Sequence, residues 1–287
     1  MSTVRAALVQ LCSGDDPAAN LPVTEALVRE AAARGAGLVL TPECTNIISA
    51  SRARQRSVLA VEAEDPTLAR LRAVAGELRV WLLIGSLCLK SGDADGRFVN
   101  RSLLIDPEGA VRARYDKIHM FDVDLDGGES YRESAAYRPG GVAVVAEAAG
   151  LRIGMTVCYD LRFPHLYRDL ARAGASLLTV PSAFTVPTGR AHWHLLLRAR
   201  AIETGAYVLA PAQTGTHAAR EGPSRTTFGH SLAAGPWGEM LLDLGEEVGV
   251  GMVEIAPEEV ARARGRIPAL GHDRSYAGPE FPAIPDG

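Results

Sequence analysis

The sequence predicts an α/β fold whose mixed sheets carry helices on their outer faces. Two observations predict it: apolar strand-like runs alternate with amphipathic helical stretches, and turn residues join other apolar runs into β-hairpins. A chain of 287 residues is long enough for one large core, and no linker or break in composition divides it. We therefore expect a single domain over residues 1–287.

The first half of the chain is predicted to end two β elements next to reactive side chains. The short apolar run 37–40 ends just before Glu43, and a hairpin turned by Asp106-Pro107-Glu108-Gly109 ends just before Lys117. In chain order the predicted elements are strand 4–11, helix 16–35, strand 37–40, helix 65–78, strand 80–89, strand 98–105 and strand 110–115.

The second half is predicted to begin with a long irregular segment, 117–140, that borders a pocket, because long loops inside compact domains are often functional. A second hairpin with Gly150 at its turn then leads directly to Cys158. The predicted elements are strands 142–147 and 151–157, helix 163–173, strand 176–181, helix 190–204, strand 206–212, and two or three antiparallel strands within 228–255.

Composition argues against several classes of protein. The charged residues, 22% of the chain, are spread over both signs, and a net charge of −4 leaves no electrostatic footprint for nucleic acid; the Arg-rich stretch 262–266 is interpreted as a solvated helix end. There is no secretory signal pattern and no apolar run near the roughly 18 residues of a membrane span. Four cysteines, at 12, 44, 88 and 158, show no C-x-x-C spacing. We expect a soluble cytoplasmic protein in a reducing compartment.

Three side chains at predicted element ends form a chemically complete set for amide hydrolysis. Cys158 supplies a nucleophilic thiol, Glu43 accepts and returns protons as general base and acid, and Lys117 favours the thiolate and stabilises the developing oxyanion. No metal and no organic cofactor is required for this chemistry. Neighbouring Cys44 is interpreted as a packing residue, because adjacent side chains on an extended strand point to opposite faces.

Ten segments, in this order along the chain, carry a resemblance to a known family. They are Thr41-Pro42-Glu43-Cys44, Tyr115-Asp116-Lys117-Ile118-His119, Phe121-Asp122-Val123-Asp124, Tyr131-Arg132-Glu133-Ser134, Thr156-Val157-Cys158-Tyr159-Asp160-Leu161-Arg162-Phe163-Pro164, Pro181-Ser182-Ala183-Phe184, Ala191-His192-Trp193, Arg198-Ala199-Arg200-Ala201-Ile202-Glu203-Thr204, Gly229-His230-Ser231 and Pro236-Trp237-Gly238. Together they resemble the nitrilase superfamily of carbon-nitrogen hydrolases, with its Glu-Lys-Cys triad, and within it the Nit branch.

The resemblance implies a four-layer α-β-β-α sandwich that often pairs through one helical face, so we expect a homodimer or a higher homo-oligomer. It also places Glu133 beside the lysine, where it orients the ammonium or helps to position the substrate. For substrate binding we expect the backbone N–H of Tyr159 at the oxyanion, Arg162 against a substrate carboxylate or in an ion pair with Asp160 or another acid, and Phe184 in the lining of the pocket. His119 is interpreted as structural.

The resemblance favours a small-molecule amidase of the deaminated-glutathione type, which turns a small linear carboxamide into ammonia and a carboxylic acid. Omega-amidase and N-carbamoyl amino acid hydrolase stay open as alternatives, because all three activities share the triad; nitrile hydrolysis is disfavoured. Loop 216–225 looks longer than its counterpart in the family, so substrate selection differs from that of relatives if the loop covers the pocket.

Two other classes of function also stay open: a catalytically silent binding module with the same fold, and a thiol redox protein that uses Cys158 with a resolving thiol. A metal site at His192 and His194 is disfavoured, because residues two apart on a helix point about 200° apart.

Overall fold

The computed structural model describes residues 3–124 and 130–278. The strands of these residues are Val4–Gln10 (β1), Leu38–Leu40 (β2), Trp81–Lys90 (β3), Phe98–Ile105 (β4), Val111–Asp116 (β5), Asp122–Asp124 (β6), Ser130–Arg132 (β7), Val144–Ala148 (β8), Leu151–Met155 (β9), Leu177–Thr179 (β10), Tyr207–Ala210 (β11), Thr214–Thr216 (β12), Thr226–Phe228 (β13), Leu232–Ala234 (β14), Met240–Asp243 (β15) and Gly249–Ile255 (β16). The α-helices are Pro17–Ala33 (α1), Arg52–Val58 (α2), Pro66–Leu78 (α3), Pro164–Arg172 (α4), Val186–Thr204 (α5) and Pro257–Arg266 (α6).

Two six-stranded sheets form the centre of the molecule. Their strand orders are β16-β1-β2-β3-β4-β5 and β15-β14-β11-β10-β9-β8. In each sheet three neighbouring strands are parallel, β1-β2-β3 in the first and β9-β10-β11 in the second, and the flanking strands are antiparallel. Parallel strands end at one edge of a sheet, so the segments that follow β9 and β10 lie side by side.

The central strands of both sheets are buried on both faces, which places a helix layer outside each sheet. Along β1, Leu8 packs into the core between the two sheets, whereas Val9 packs on the opposite face with residues of α1 and α3. The core between the sheets continues through the second sheet to residues of α4 and α5, such as Leu170 and Trp193. This arrangement confirms the predicted α-β-β-α sandwich with mixed sheets.

Helix ends agree with local sequence signals. Asp16 accepts a hydrogen bond from the Ala18 amide before α1, and Asp65 accepts one from the Leu68 amide before α3. Gly205 ends α5 in the left-handed conformation, with φ 55°. No helix in the described parts of the chain combines the length and the apolar character that crossing a lipid bilayer requires.

The structure confirms most predicted elements and corrects four details. Helix α2 was not predicted, because its polar sequence lacks an apolar repeat, and α5 begins four residues before the predicted start at residue 190. The strands within 228–255 divide between the sheets, since β16 pairs with β1. The segment predicted as irregular, 117–140, contains the β6-β7 ladder; its residues 125–129 lie outside the described residues.

The Arg-rich stretch does form the end of α6, but it is not fully solvated. Arg262 is exposed and pairs with Glu259. Arg264 is partly buried and donates hydrogen bonds to the carbonyls of Thr204 and Ala175, which connects α6 to the second sheet's layer.

Candidate active site

A cavity of about 730 Å³ opens where the ends of the two sheets meet. Glu43, Lys117 and Cys158, the three residues predicted to carry the chemistry, all line it. Glu133 and Phe184 line it as well. The predicted convergence of a carboxylate, an ammonium and a thiol in one cavity is therefore what the structure contains.

Glu43 follows the end of β2 and is held by both sheets. Its Oε1 accepts hydrogen bonds from Lys117 Nζ at 3.0 Å and from Asn100 Nδ2 at 2.9 Å. Its Oε2 accepts one from the Ala183 backbone N–H at 2.9 Å, which comes from the second sheet. These donors fix the orientation of the carboxylate and favour its ionised form.

The two sheets approach closely at this point because residue 85 in β3 is a glycine. A Cβ there would lie 2.0 Å from the Thr41 carbonyl oxygen, 2.6 Å from that of Pro42 and 2.4 Å from Pro181 Cβ. Thr41 and Pro42 directly precede Glu43 in the first sheet, and Pro181 lies in the segment that follows β10 in the second sheet. Gly85 therefore lets the ends of the two sheets meet, a role that its sequence context does not reveal.

Lys117 lies just beyond β5 between two carboxylates. Its Nζ is 3.0 Å from Glu43 Oε1 and 2.8 Å from Glu133 Oε2, and its side chain is only 2% exposed. Glu133 also accepts a hydrogen bond from the Phe121 backbone N–H, 2.6 Å away. The segment after Lys117 therefore folds back over the lysine and delivers the second glutamate.

Asn100 of β4 is a hydrogen-bonding residue at this site that the sequence reasoning missed. Its Nδ2 donates to Glu43, and more weakly to Glu133 Oε1 at 3.4 Å. Both partners are carboxylates, which only accept, so the amide orientation is determined and Oδ1 points elsewhere. That Oδ1 is buried and has no hydrogen-bond partner among the described residues. In the sequence Asn100 looks like any polar residue in a strand, so only the fold identifies it.

Cys158 begins a tight turn after β9 in a backbone conformation that favours glycine. Its φ is 51°, and its N–H donates to the Pro181 carbonyl at 2.9 Å. Non-glycine residues adopt this region rarely, and it often occurs at functional sites.

Asp160 holds the Cys158 turn against the segment that carries Lys117. It is fully buried and accepts from Tyr115 Oη at 2.7 Å and from the backbone N–H groups of Val157 and His119 at 2.8 and 3.1 Å. His119 Nδ1 also lies 2.7 Å from Asp160. These contacts agree with the structural role expected for His119.

The pKa shifts of the three groups follow from burial and mutual contact. Burial would raise the pKa of Glu43, but the Lys117 charge and hydrogen bonds from Cys158 and Lys117 outweigh it, and the pKa is lowered. Burial would lower the pKa of Lys117, yet the charges of Glu133 and Glu43 hold it well above its ordinary value. Burial and the Glu43 charge raise the pKa of Cys158 against the opposing charge of Lys117. At neutral pH the resting site therefore contains a carboxylate, an ammonium and a neutral thiol.

The substrate-binding residues expected from the sequence are only partly brought together. Phe184 lines the cavity, whereas the side chains of Tyr159 and Arg162 are not part of its lining. The Arg162 guanidinium lies over the rings of Tyr159 and Phe184, and its two terminal nitrogens are 3.3 Å from His192 Nδ1. Among the described residues Arg162 forms no ion pair with Asp160 or with another acid, so that alternative is wrong; the Asp160 carboxylate instead accepts hydrogen bonds from the residues on either side of it in the fold.

The interpretation of Cys44 needs a correction. Cys44 has φ 54°, so it is not on an extended strand, and it lines the cavity beside Glu43. Its sulfur packs 3.4 Å from that of Cys88 in a small apolar cluster. Cys44 therefore does pack against other residues, as predicted. The extended strand on which that prediction was based is not present at this position.

His192 and His194 do not share a partner. His192 contacts Arg162, whereas His194 Nε2 lies 2.8 Å from Asp243, which also contacts His230 Nδ1 at 2.9 Å. The ligand atoms of His194, His230 and Asp243 lie within 4.8 Å of one another, a grouping that brings α5 and β15 together and that sequence spacing did not predict. None of the three lines the cavity.

Comparison with known proteins places this architecture in a family. The family model for carbon-nitrogen hydrolases matches residues 5–265. The chain is 40% identical over 275 residues to deaminated glutathione amidase of Yersinia enterocolitica, covering 96% of this chain and 94% of that protein. It is 34% identical over 275 residues to the human omega-amidase NIT2, covering 96% of each. The crystal structure of Saccharomyces cerevisiae Nit3, described as a member of branch 10 of the nitrilase superfamily, aligns with a TM-score of 0.80 at 28% identity, over 93% of this chain and 94% of Nit3.

Proposed function

This chain belongs to the carbon-nitrogen hydrolase family, and we propose that it hydrolyses a small linear amide through a thioester on Cys158. Amidase activity follows from the family and from the amidases among its relatives. The single observation that supports the residue assignment is the hydrogen-bonded group of Lys117, Glu43 and Cys158 in one cavity. Glu43 then acts as general base and acid, Lys117 as the cation at the oxyanion, and Glu133 as the residue that positions Lys117.

In the acylation step, the Cys158 sulfur attacks the amide carbon while the thiol proton moves to Glu43. The new C–S bond forms as the carbonyl π bond opens to an oxyanion, which the Lys117 ammonium and the Tyr159 backbone N–H stabilise. The oxyanion then collapses and the C–N bond breaks, with Glu43 returning its proton to the leaving nitrogen. Because the resting thiol is neutral, proton transfer to Glu43 accompanies the attack.

In the deacylation step, Glu43 takes a proton from water as the water oxygen bonds to the thioester carbon. The C–S bond breaks, the proton returns to sulfur, and a carboxylic acid leaves. The chain's own residues supply every proton transfer in both steps.

For the substrate, we propose a deaminated-glutathione-type amide, supported by the relative from Yersinia enterocolitica at 40% identity. Omega-amide and N-carbamoyl amino acid substrates are the alternatives. The test is parallel turnover of deaminated glutathione, a 2-oxo acid omega-amide, an N-carbamoyl amino acid and an aliphatic nitrile. Products are read by mass spectrometry, which detects both acid and leaving group, because a secondary amide releases an amine rather than ammonia. Cleavage of carbamoyl substrates alone would overturn the proposal.

The Cys158 assignment is tested by intact-protein mass spectrometry during turnover. An acyl adduct is expected on the wild-type protein and on Cys12→Ala, the matched control at an exposed thiol, and no adduct on Cys158→Ala. Full amidase activity of Cys158→Ala would contradict the mechanism. A disulfide on Cys158 without an adduct would favour a redox protein, and neither species would favour a binding module.

A homodimer through the exposed face of α5 is part of the proposal. Leu195 and Ile202, one heptad apart on α5, are 68% and 58% exposed. Trp237 and Met240, on either side of the Gly238 segment that lies against Ile202, are 52% and 54% exposed. An apolar face of this kind is typical of a protein interface. Ile202→Glu is expected to convert the dimer to a monomer in light-scattering measurements, and an unchanged mass would contradict this interface.

The proposal also covers the domain organisation and the cellular location of the protein. A single domain over 1–287 is supported by the pairing of β1 with β16, which joins the two ends of the described chain. A cytoplasmic location is supported by the proposed thiol chemistry, since a nucleophilic cysteine must stay reduced.

A further inference from the structure

A second group of chemically active side chains lies outside the catalytic cavity, between α5 and the β14-β15 hairpin. His194 comes from α5, His230 from the segment just before β14, and Asp243 from the end of β15. One ring nitrogen of each histidine and one carboxylate oxygen lie within 4.8 Å of one another. The fold therefore brings three side chains that can ligate a metal ion to one place from three separate segments.

The Asp243 carboxylate is shared by both imidazoles. His194 Nε2 lies 2.8 Å from Oδ2, and His230 Nδ1 lies 2.9 Å from Oδ1 and 3.2 Å from Oδ2. The Gly245 backbone N–H donates to Oδ1 at 2.9 Å, which orients the carboxylate as outer hydrogen bonds do in metal sites. A neutral imidazole that carries its proton on the other ring nitrogen offers a lone pair at this position. Two nitrogen lone pairs and a carboxylate oxygen are then available to a single cation.

The two histidines are held in place by contacts outside the group. The buried indole of Trp193, the residue before His194 on α5, donates to the His230 carbonyl at 2.8 Å. The His230 backbone N–H donates to the Gly245 carbonyl at 2.6 Å, and the His230 ring stacks on Phe228 with the ring centroids 4.4 Å apart. Ligands that are already positioned lose little side-chain freedom when they bind an ion.

The donor set and the exposure of the group indicate the class of ion. Two imidazole nitrogens and one carboxylate oxygen suit Zn²⁺ and its neighbours among the first-row transition metals, whereas Mg²⁺ and Ca²⁺ prefer oxygen ligands. The side chains of His194, His230 and Asp243 are 35%, 22% and 22% exposed. An ion can therefore enter from solvent, and water can complete its coordination.

We propose that His194, His230 and Asp243 bind a Zn²⁺-type ion that joins α5 to the β14-β15 hairpin. The ion is structural, because none of its ligands lines the catalytic cavity, and the site does not depend on the proposed amidase chemistry. The same elements carry exposed apolar side chains, Leu195 on α5 and Met240 on β15. The ion therefore stabilises the part of the surface that is proposed to form the dimer contact.

Calorimetric titration of Zn²⁺ into the full chain, after treatment with EDTA and dialysis, tests the proposal. The wild-type protein is expected to bind Zn²⁺ at this site and to bind Mg²⁺ and Ca²⁺ much more weakly. His194→Gln removes an imidazole ligand and Asp243→Asn removes the ligand charge. Each is expected to weaken Zn²⁺ binding at least about 100-fold, since loss of a residue that only orients a ligand already costs about 10- to 100-fold.

His192→Gln is the matched control, because it removes an exposed histidine from the same helix whose Nδ1 contacts Arg162 instead of Asp243. It is expected to bind Zn²⁺ as the wild-type protein does. Zn²⁺ is also expected to raise the Tm of the wild-type and His192→Gln proteins, because the ligands come together only in the folded chain, and to leave the Tm of His194→Gln unchanged.

Absorption spectra with Co²⁺ in place of Zn²⁺ identify the ligands in the wild-type protein itself, so this result does not depend on the folding of a variant. Imidazole and carboxylate ligands are expected to give visible d–d bands without the near-ultraviolet charge-transfer band of a thiolate ligand. A thiolate band, or equal loss of affinity in His192→Gln and His194→Gln, would place the ion elsewhere and overturn the proposal. Absence of Zn²⁺ binding by the wild-type protein would also overturn it, since the three side chains would then form a hydrogen-bonded group only.

Discussion

Two parts of the cavity are built in different ways: the floor, formed by Glu43, Lys117, Cys158, Glu133 and Asn100, and the mouth, formed by loop 216–225. On the floor, Glu43 and Lys117 are 4% and 2% exposed, follow strand ends, and are bonded to each other and to their neighbours. At the mouth, loop 216–225 lies largely on the surface and carries Arg225, which lines the cavity.

The difference separates chemistry from substrate choice. The floor carries one cation and two carboxylates in a nearly complete hydrogen-bond network, so its geometry and protonation are determined by the fold. The mouth belongs to neither six-stranded sheet, so loop changes there leave the sheets intact. We therefore expect floor substitutions to change stability or kcat, and mouth substitutions to change binding.

Lys117→Met is expected to have the largest effect, on stability. It leaves the buried Glu43 carboxylate and the partly buried Glu133 carboxylate without their cation, which costs about 3–5 kcal/mol of unfolding free energy. Without the lysine the pKa of Glu43 in the folded protein rises, so the folded state binds more protons and the loss of unfolding free energy shrinks as pH falls. Urea unfolding in mildly acidic and mildly alkaline buffer measures both effects.

The control for Lys117→Met is Arg220→Met, which removes an exposed charge from the mouth. It is expected to leave the unfolding free energy nearly unchanged, as is usual for surface pairs. A Lys117→Met protein as stable as the wild type would show that the floor does not depend on charge balance.

Glu43→Gln is expected to lower kcat by about 10²- to 10⁴-fold, because glutamine keeps the shape of the side chain but cannot accept the thiol proton. Steady-state kinetics on the best substrate measures it. Glu221→Gln, the same substitution at the mouth, where the Glu221 carboxylate accepts a hydrogen bond from Ser51 Oγ, is expected to leave kcat unchanged. Equal losses in both variants would contradict the division between floor and mouth.

Asn100→Leu is expected to lower kcat/KM by about 10- to 100-fold, the worth of one hydrogen bond to a charged group. It removes a donor that favours ionised Glu43, so the acid limb of the pH profile moves to higher pH. In the wild-type protein the Lys117 charge and the hydrogen bonds lower the pKa of Glu43, so that limb is expected below the ordinary pKa of glutamic acid. An unshifted limb in Asn100→Leu would mean that Asn100 does not act on Glu43.

The smallest signal concerns the resting state of the thiol. Burial and the Glu43 charge raise the pKa of Cys158, so alkylation of Cys158 by iodoacetamide should accelerate steadily from neutral to alkaline pH. Peptide mass spectrometry follows the modification, with Cys158→Ala as the blank. A rate that is already at its plateau near neutral pH would show a preformed thiolate instead.

The sequence predicted the structure correctly where a local pattern of residues specifies a local structure. Apolar periodicity located β2, β5 and β9, and reactive side chains just beyond them were expected to share one edge. Motif resemblance extended this to Glu133, which lies 2.8 Å from Lys117. The same reasoning failed for the strand geometry of Cys44 and for the side chain of Arg162, because it assigned directions from extended geometry or motif position. The left-handed backbone at Cys44 and Cys158 leaves no signature in residue type.

Most strands and helices, the family resemblance, and the choice of Cys158, Glu43 and Lys117 as the proposed thiol, carboxylate and ammonium therefore came from the sequence alone, because these depend on residue type and spacing along the chain. Which residues lie against that trio was decided only by tertiary structure. Gly85 matters through atoms of Thr41 and Pro181, Asn100 through Glu43, and Arg225 through Ala183, all far away in the chain. Contacts across two sheets depend on how the sheets pack, and no local pattern along one strand contains that information.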